Sequence, residues 1–421
     1  ILEKIMYNRL LDFLNHNNLL AKTQFGFREK HSTYMAILDL VDKITEKIDK
    51  KKFALGIFID LSKAFDTIDH TILLHKLERY GIRGIALQWF SSYLNNRSQY
   101  VKVGDAESNR SLIRCGVPQG SILGPLLFIL YINDIIHVTN LADLIMFADD
   151  TNLFISSDSL ENLTTQANKA LEKLTIWFKL NKLSLNIKKT NFILFHCRQK
   201  IINEKICLKI DGVPIEQTKN TKFLGVILNE NLSWNDHVNL PSKKISKNVG
   251  VIKRIRENLS RHSLIMLYYS LMHPYLDYCN IVWASQINIH TENLFKRQKK
   301  AIRVVTSSKW NSHTAPLFKK FNILNMYDIN VVQTNCFVYR FLHSMLPPIF
   351  DNYFTYNMSV YDHSTRHCLN LHLPHFRTNL RANSIRICGV KVWNALDYSV
   401  KSKMSIYSFK KQLKTSLINL Y

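Results

Sequence analysis

The chain has 421 residues, 46% hydrophobic and 21% charged, which is enough apolar material for a sizeable core and too much for wholesale disorder. With only 12 Gly and 9 Pro it is neither collagen-like nor dominated by loops. Its 56 Lys+Arg against 32 Asp+Glu give a net charge of +24; residues 1–160 hold 18 of each, so the whole excess lies in 161–421. A surplus of that size suits nucleic acid or an anionic membrane surface.

The longest apolar run, Gly124–Ile132, is far short of the ~20 residues that span a bilayer. The N-terminus has neither a signal-peptide pattern nor an initiator Met, so a fragment of a longer protein is expected. Seven cysteines, odd in number and without C-x-x-C, predict neither a disulfide framework nor a zinc finger. His196-Cys197 and His367-Cys368 have no zinc-ligand spacing either. A reducing, intracellular setting follows.

In chain order, Ile1, Ile5, Leu10, Leu11 and Leu14 form a helical stripe. A second helix starts near Ser32-Thr33 and runs through Ile37, Leu40, Val41 and Ile44. FALGIFID (53–60) reads as a strand buried on both faces and ending on Asp60. A helix carrying Ile72, Leu73 and Leu77 follows, capped by Asp69 and stopped by Gly81. Gly116–Gly124 is a turn feeding an apolar helix, Pro125–Ile132, with Pro125 in its first turn.

LIMFADDTNLFIS (144–156) reads as a hairpin around Asp149-Asp150. An amphipathic helix covers 159–181, and strands are expected at 191–196, 206–210 and 222–228. Beyond 236 the pattern is helical and basic (Lys243, Lys244, Lys247, Lys253, Arg254, Arg256). The fold class is therefore α+β, with a boundary near 235 and a mostly helical basic C-terminal region.

Unpaired carboxylates at strand ends are costly unless they hold a cation. Oxygen ligands of this kind suit Mg²⁺, and two such ions can serve an in-line phosphoryl transfer. On the residues alone the cheaper reading of Asp149-Asp150 is a polar hairpin turn.

Six strings in order change that balance: QFGFREKHST (24–33), FIDLSKAFDTIDH (58–70), GVPQGSILGPLLF (116–128), FADD (147–150), LNIKKT (185–190) and KFLGVIL (222–228). Together they resemble reverse transcriptases of non-LTR, jockey-like retrotransposons. HPYLDYCNIVW (273–283) and FKRQKKAIR (295–303) resemble the C-terminal tails of such elements. Ala148 before the tandem Asp and PQG in the middle motif differ from RNA-copying RNA polymerases, which points to DNA synthesis.

The resemblance implies a right-hand polymerase: partial fingers and palm over 1–235, a thumb-like basic region over 236–310 and a basic helical tail over 311–421. It makes Asp60, Asp149 and Asp150 the catalytic, metal-binding acids, helped by the backbone of Leu61, for two Mg²⁺ (Mn²⁺ as substitute). Phe65 falls at the steric gate that excludes a ribose 2′-hydroxyl. Gln119 and Gly120 lie beside the incoming base and template, and Arg28 meets the triphosphate.

Lys189, or its neighbour Lys188, matches the lysine that protonates the leaving pyrophosphate, and Phe223, Leu224 and Gly225 match the primer grip. RNA template, DNA primer or target and dNTPs are the implied partners, without a membrane. Nucleus and cytoplasm are the implied locations, as a ribonucleoprotein. An endonuclease domain and the start of the fingers are expected upstream of this sequence. The rival reading is a catalytically inactive, truncated remnant that only binds nucleic acid.

Overall fold

The computed structural model describes every residue except Arg198, Lys200, Ile201, Asn203, Lys205 and 362–367. His367 of the second His-Cys pair thus lies outside the described residues. The chain divides into two compact units, the first of residues 1–32 and 52–219, the second of 33–51 and 220–421.

The first unit is built on one five-stranded sheet. Its strands are β1 (Phe53–Ile59), β2 (Asp143–Phe147), β3 (Asp150–Ser157), β4 (Asn191–Phe195) and β5 (Glu216–Gln217), in the order β5-β4-β1-β3-β2. β1 is central and antiparallel to both neighbours, running from Phe53↔Ser157 to Ile59↔Thr151 against β3. A central strand has a partner on each edge and core on each face, and its near-continuous apolar run, buried from Ala54 to Ile59, meets that demand.

Around the sheet lie, among the described residues, the α-helices Leu2–His16, His70–Arg79, Gly84–Leu94, Gly124–Ile132 and Leu160–Leu180. Gly124–Ile132 is buried at all positions except Pro125, so its apolarity serves the core. Among the described residues no helix is long and apolar enough to cross a membrane. Asp69 caps its helix, accepting from the Ile72 amide at 3.0 Å. The helix at Gly84–Leu94 escaped the sequence reading because only Phe90 and Leu94 are buried, while Ile85 faces solvent.

The second unit opens with α1 (Thr33–Asp49) and resumes at a hairpin, β6 (Asn220–Phe223) and β7 (Val226–Asn229). Its helices include α2 (Asn235–Ile255), α3 (Arg261–Leu271), α4 (Ile289–Val305), α5 (Met326–Leu342), α6 (Ile385–Asn394) and α7 (Ile406–Asn419). α2 packs on α4 and on β7, and α5 packs on α6 and α7. Trp234, Trp283 and Trp393 are buried here; Trp310 is exposed.

Position 235, where the sequence suggests a boundary, lies within this unit between the hairpin and α2, which pack on each other, and 236–310 and 311–421 both fall in it. The expected strand 222–228 is two strands. Leu224 (φ +46°) and Gly225 (φ +83°) both take left-handed backbone, which closes a two-residue turn between Phe223 and Val226.

α1 is keyed to its unit by acids that face inward. Asp42, 2% exposed, pairs with Arg381 at 2.7 Å and with Arg386 at 2.8 Å. Burial pushes the Asp42 carboxyl pKa up, and the two guanidinium groups oppose that shift. Asp39 accepts from the Tyr353 hydroxyl at 3.1 Å, and Asp49 accepts from the Thr378 amide at 2.7 Å. Arg381→Ala/Arg386→Ala would strand the Asp42 charge, so urea denaturation should show the second unit weakened by about 3–5 kcal/mol. A change below about 1 kcal/mol, the range of an exposed pair, would contradict this account.

Candidate active site

The strand β1 ends at Ile59, so Asp60 leaves the sheet at the same edge where β2 turns into β3. That turn is Ala148-Asp149, closed by the pair Phe147↔Asp150. Since Ile59 pairs with Thr151, the next step along both strands brings Asp60 toward Asp150. Three carboxylates from distant stretches of sequence thereby share one end of the sheet.

Their electrostatics bear this out. The pKa of Asp149 is raised by burial and by the charge of Asp60. Asp150 is open to solvent, yet the protein crowding its carboxyl, and then the charges of Asp149 and Asp60, push it up to about 6. Like charges so placed disfavour one another's ionised form, an arrangement that suits shared positive charge. Among the described residues no three His, Cys, Asp or Glu side chains form a ready-made metal cage, so the acids are neighbours without being a closed ligand set.

Asp60 is positioned by LNIKKT. Its Oδ2 accepts from Asn186 Nδ2 at 2.9 Å, its amide donates to Thr190 Oγ1 at 3.3 Å, and its carbonyl accepts from the Asn186 amide at 2.9 Å. Lys189 Nζ stands 4.0 Å from Asp60 Oδ2, whereas Lys188 is exposed with no ion pair among the described residues. Of the two, Lys189 is the one that approaches Asp60 among the described residues. Leu61 bridges Leu185, but the ladder bonds come from Ser62 and Asp60 on either side, which leaves the Leu61 carbonyl outside them.

The segment after Asp60 is stitched to the Gly-rich turn. The Gly116 amide donates to the Ile68 carbonyl at 2.7 Å, and the Val117 amide to that of Phe65 at 3.0 Å. Gly116 has φ +86°, and a Cβ there would stand 2.8 Å from the Asp66 carbonyl oxygen, so only glycine fits. Phe65 is half-buried, its ring stacked 4.3 Å from Phe128 with Phe27 edge-on at 6.1 Å. Gln119 is exposed and donates to Asp66 Oδ1 at 2.8 Å; Gly120 (φ +80°) stands in open space.

Sequence reading missed the brace on the acidic turn. Gln24, 1% exposed, accepts through Oε1 from the amides of Gly26 (2.7 Å) and Ala148 (2.9 Å), and donates to the Ala148 carbonyl at 3.3 Å. The Phe25 amide also donates to the Met146 carbonyl at 2.8 Å. A Cβ on Gly26 would lie 2.2 Å from the Ala148 nitrogen, so QFG lets this loop touch the turn, where Ala148 holds a strained φ of +54°.

Arg28 donates to the Ala21 carbonyl at 2.6 Å and, weakly, to that of Gln24, so one arm of its fork holds this loop. Burial lowers its pKa. The other guanidinium N–H groups have no acceptor among the described residues. Gln24 and Asn186 lie inside strings with a family signal, but a polar residue carries no sequence mark of the group it will bond. Phe223, Leu224 and Gly225 belong to the second unit.

The family described as reverse transcriptase (RNA-dependent DNA polymerase) matches residues 1–228. Curated relatives include a probable RNA-directed DNA polymerase from transposon BS of Drosophila melanogaster, 27% identical over 76% of this chain and 36% of that protein. The RNA-directed DNA polymerase from mobile element jockey of the same species is 26% identical over 78% of this chain and 36% of its own length. The chain therefore spans about a third of these relatives. A solved apo telomerase from Candida tropicalis aligns with a TM-score of 0.40 at 13% identity, covering 79% of this chain and 55% of that one. With its first 228 residues matched, the chain belongs to the reverse transcriptase (RNA-dependent DNA polymerase) family.

Proposed function

We propose that the chain is the polymerase portion of a non-LTR, jockey-like retrotransposon protein. It adds deoxynucleotides to a primer 3′-OH on an RNA template and releases pyrophosphate, working in nucleus and cytoplasm as a ribonucleoprotein. The observation that carries this reading is the trio Asp60, Asp149 and Asp150 at one edge of the sheet, whose charges act on one another.

The family uses divalent metal ions, and these acids, with the Leu61 carbonyl, are the groups that would hold Mg²⁺ or, in its place, Mn²⁺. Bound there, the cations would supply charge stabilisation for the attacking and leaving oxygens. The other residues orient and discriminate. Phe65, fixed by its stack on Phe128, closes the space a 2′-hydroxyl needs. Gln119 and Gly120 border the base and template, and the free arm of Arg28 meets triphosphate oxygens.

Lys189 gives a proton to the departing pyrophosphate, a contribution of about 10²–10⁴-fold for a general acid. The Phe223–Leu224–Gly225 turn seats the primer end. The basic helices of the second unit hold RNA and DNA backbones as thumb and tail.

Primer extension on an RNA template with dNTPs and Mg²⁺ should succeed with the wild type and drop by several orders of magnitude in Asp149→Ala. Retained extension in that variant would refute the site.

Gln24→Ala should lower kcat about 10–100-fold while template–primer binding stays unchanged, because the acidic turn loses its brace rather than its charge. Wild-type kcat in this variant would remove Gln24 from the positioning of the site.

Asp150→Asn should abolish extension yet make the metal-free fold melt higher at pH 7.5. The sign follows from the raised pKa: the carboxylate, ionised above about 6, is desolvated and repelled by its neighbours in the fold, while an unfolded Asp is ionised above its ordinary value of 3.8. The destabilisation is complete above pH 6 and fades as pH falls from 6 toward 4, so the gain in Tm should fade over that range. A variant that melts no higher at pH 7.5 would contradict the raised pKa of Asp150.

A further inference from the structure

The tail string HPYLDYCNIVW is not used by the polymerase reading, and it lines a cavity within the second unit. That cavity has a volume of about 480 Å³, within the usual range for small-molecule sites. Its walls bring together Tyr269, His273 and Tyr278 with Arg340, Lys410 and Lys414.

The charges there are poorly balanced. Lys410 and Lys414 stand four residues apart on α7, a spacing at which like charges repel. Neither lysine nor Arg340 has an acidic partner among the described residues, and Arg340 donates only to the Tyr34 hydroxyl, at 3.0 Å. Asp277 is the acid of this wall, and Gln333 already donates to it at 2.9 Å. Burial and Lys410 lower the Lys414 pKa; burial and both lysines lower that of His273, while Asp277 opposes. A fold gains nothing from gathering like charges in a half-buried hollow unless an anion joins them.

The aromatic groups narrow the class of anion. The Tyr269 and His273 rings lie 5.3 Å apart on one wall. Tyr278 donates through its hydroxyl to the Leu224 carbonyl at 2.6 Å, and a Cβ on Gly225 would meet its ring at 3.3 Å. It also borders a second cavity of about 340 Å³ that contains Lys222 and Lys244. Flat rings beside clustered cations are what successive bases and phosphates of a single strand require.

We propose that this cavity is a binding site for one nucleotide of a single-stranded nucleic acid, with the phosphate on Lys410, Lys414 and Arg340 and the base against Tyr269 or Tyr278. It is separate from the carboxylate site and stands or falls without it.

The test is photocross-linking of the full chain to a 5-iodouracil-substituted DNA hexamer at low salt, with adducts located by mass spectrometry. An adduct on Tyr269 or Tyr278 is expected. Lys410→Gln/Lys414→Gln should cut it about tenfold and flatten the salt dependence of hexamer binding by about 0.7 in log–log slope for each phosphate no longer neutralised. Arginine at both positions should restore it.

Lys169→Gln/Lys173→Gln removes the same charge at the same spacing on the first unit's helix Leu160–Leu180 and should leave the adduct unchanged. The proposal is overturned if adducts form only elsewhere, or if both glutamine pairs lose cross-linking equally. It also fails if inorganic phosphate competes as well as 5′-AMP, which would leave a bare anion pocket, or if polyglutamate displaces the hexamer at equal charge, which would assign the cavity to an acidic protein.

Discussion

Repulsion among three carboxylates is the constraint around which the first unit is organised. A sheet edge that places Asp60 beside Asp149 and Asp150 cannot be held by those acids, since burial and the charge of Asp60 both raise the pKa of Asp149 and of Asp150. It is held by what lies behind them. β1 is buried between two partners, Asn186 and Thr190 fix the departing strand, and Gln24 clamps the opposing turn from inside the core. Local instability at the edge is tolerated because the scaffold over-determines the backbone.

The glycines serve the same end. Gly26 and Gly116 sit where two main chains approach too closely for a side chain, one behind the acidic turn and the other behind the segment bearing Phe65. Each substitutes backbone contact for side-chain packing, and together they draw four distant stretches of sequence onto one sheet end. Strings that look like separate motifs along the chain are, in space, one set of mutual supports.

How much of this is legible beforehand depends on what each residue reports. FALGIFID declares a central strand because a run with no polar face has nowhere else to go. The tandem Asp between apolar strands declares a hairpin, yet only family resemblance turns that hairpin into a site. α1 declares a buried face, but periodicity cannot name the partner, so its membership of the second unit stays hidden until Asp42 meets Arg381. KFLGVIL hides its turn because Leu224 takes a backbone that leucine seldom adopts. Gln24 and Asn186 are silent for the reason that polar bonding partners leave no periodic trace.

The detour of Thr33–Lys51 into the second unit also has a consequence in time. Asp42 and the arginine that neutralises it are 339 residues apart. At ribosomal rates of about 5–20 residues per second, α1 waits roughly 20–70 s for its partner. Until the Asn280–Trp283 segment emerges its apolar stripe has no native helix of its unit to pack on, and its Asp42 waits longer still, while β1, which follows it, is free to pair as soon as β3 and β4 are made. The nascent chain thus carries an unmatched amphipathic helix until the second unit emerges, a natural client for a holding chaperone and the first place where crowded ribosomes would let neighbouring chains entangle.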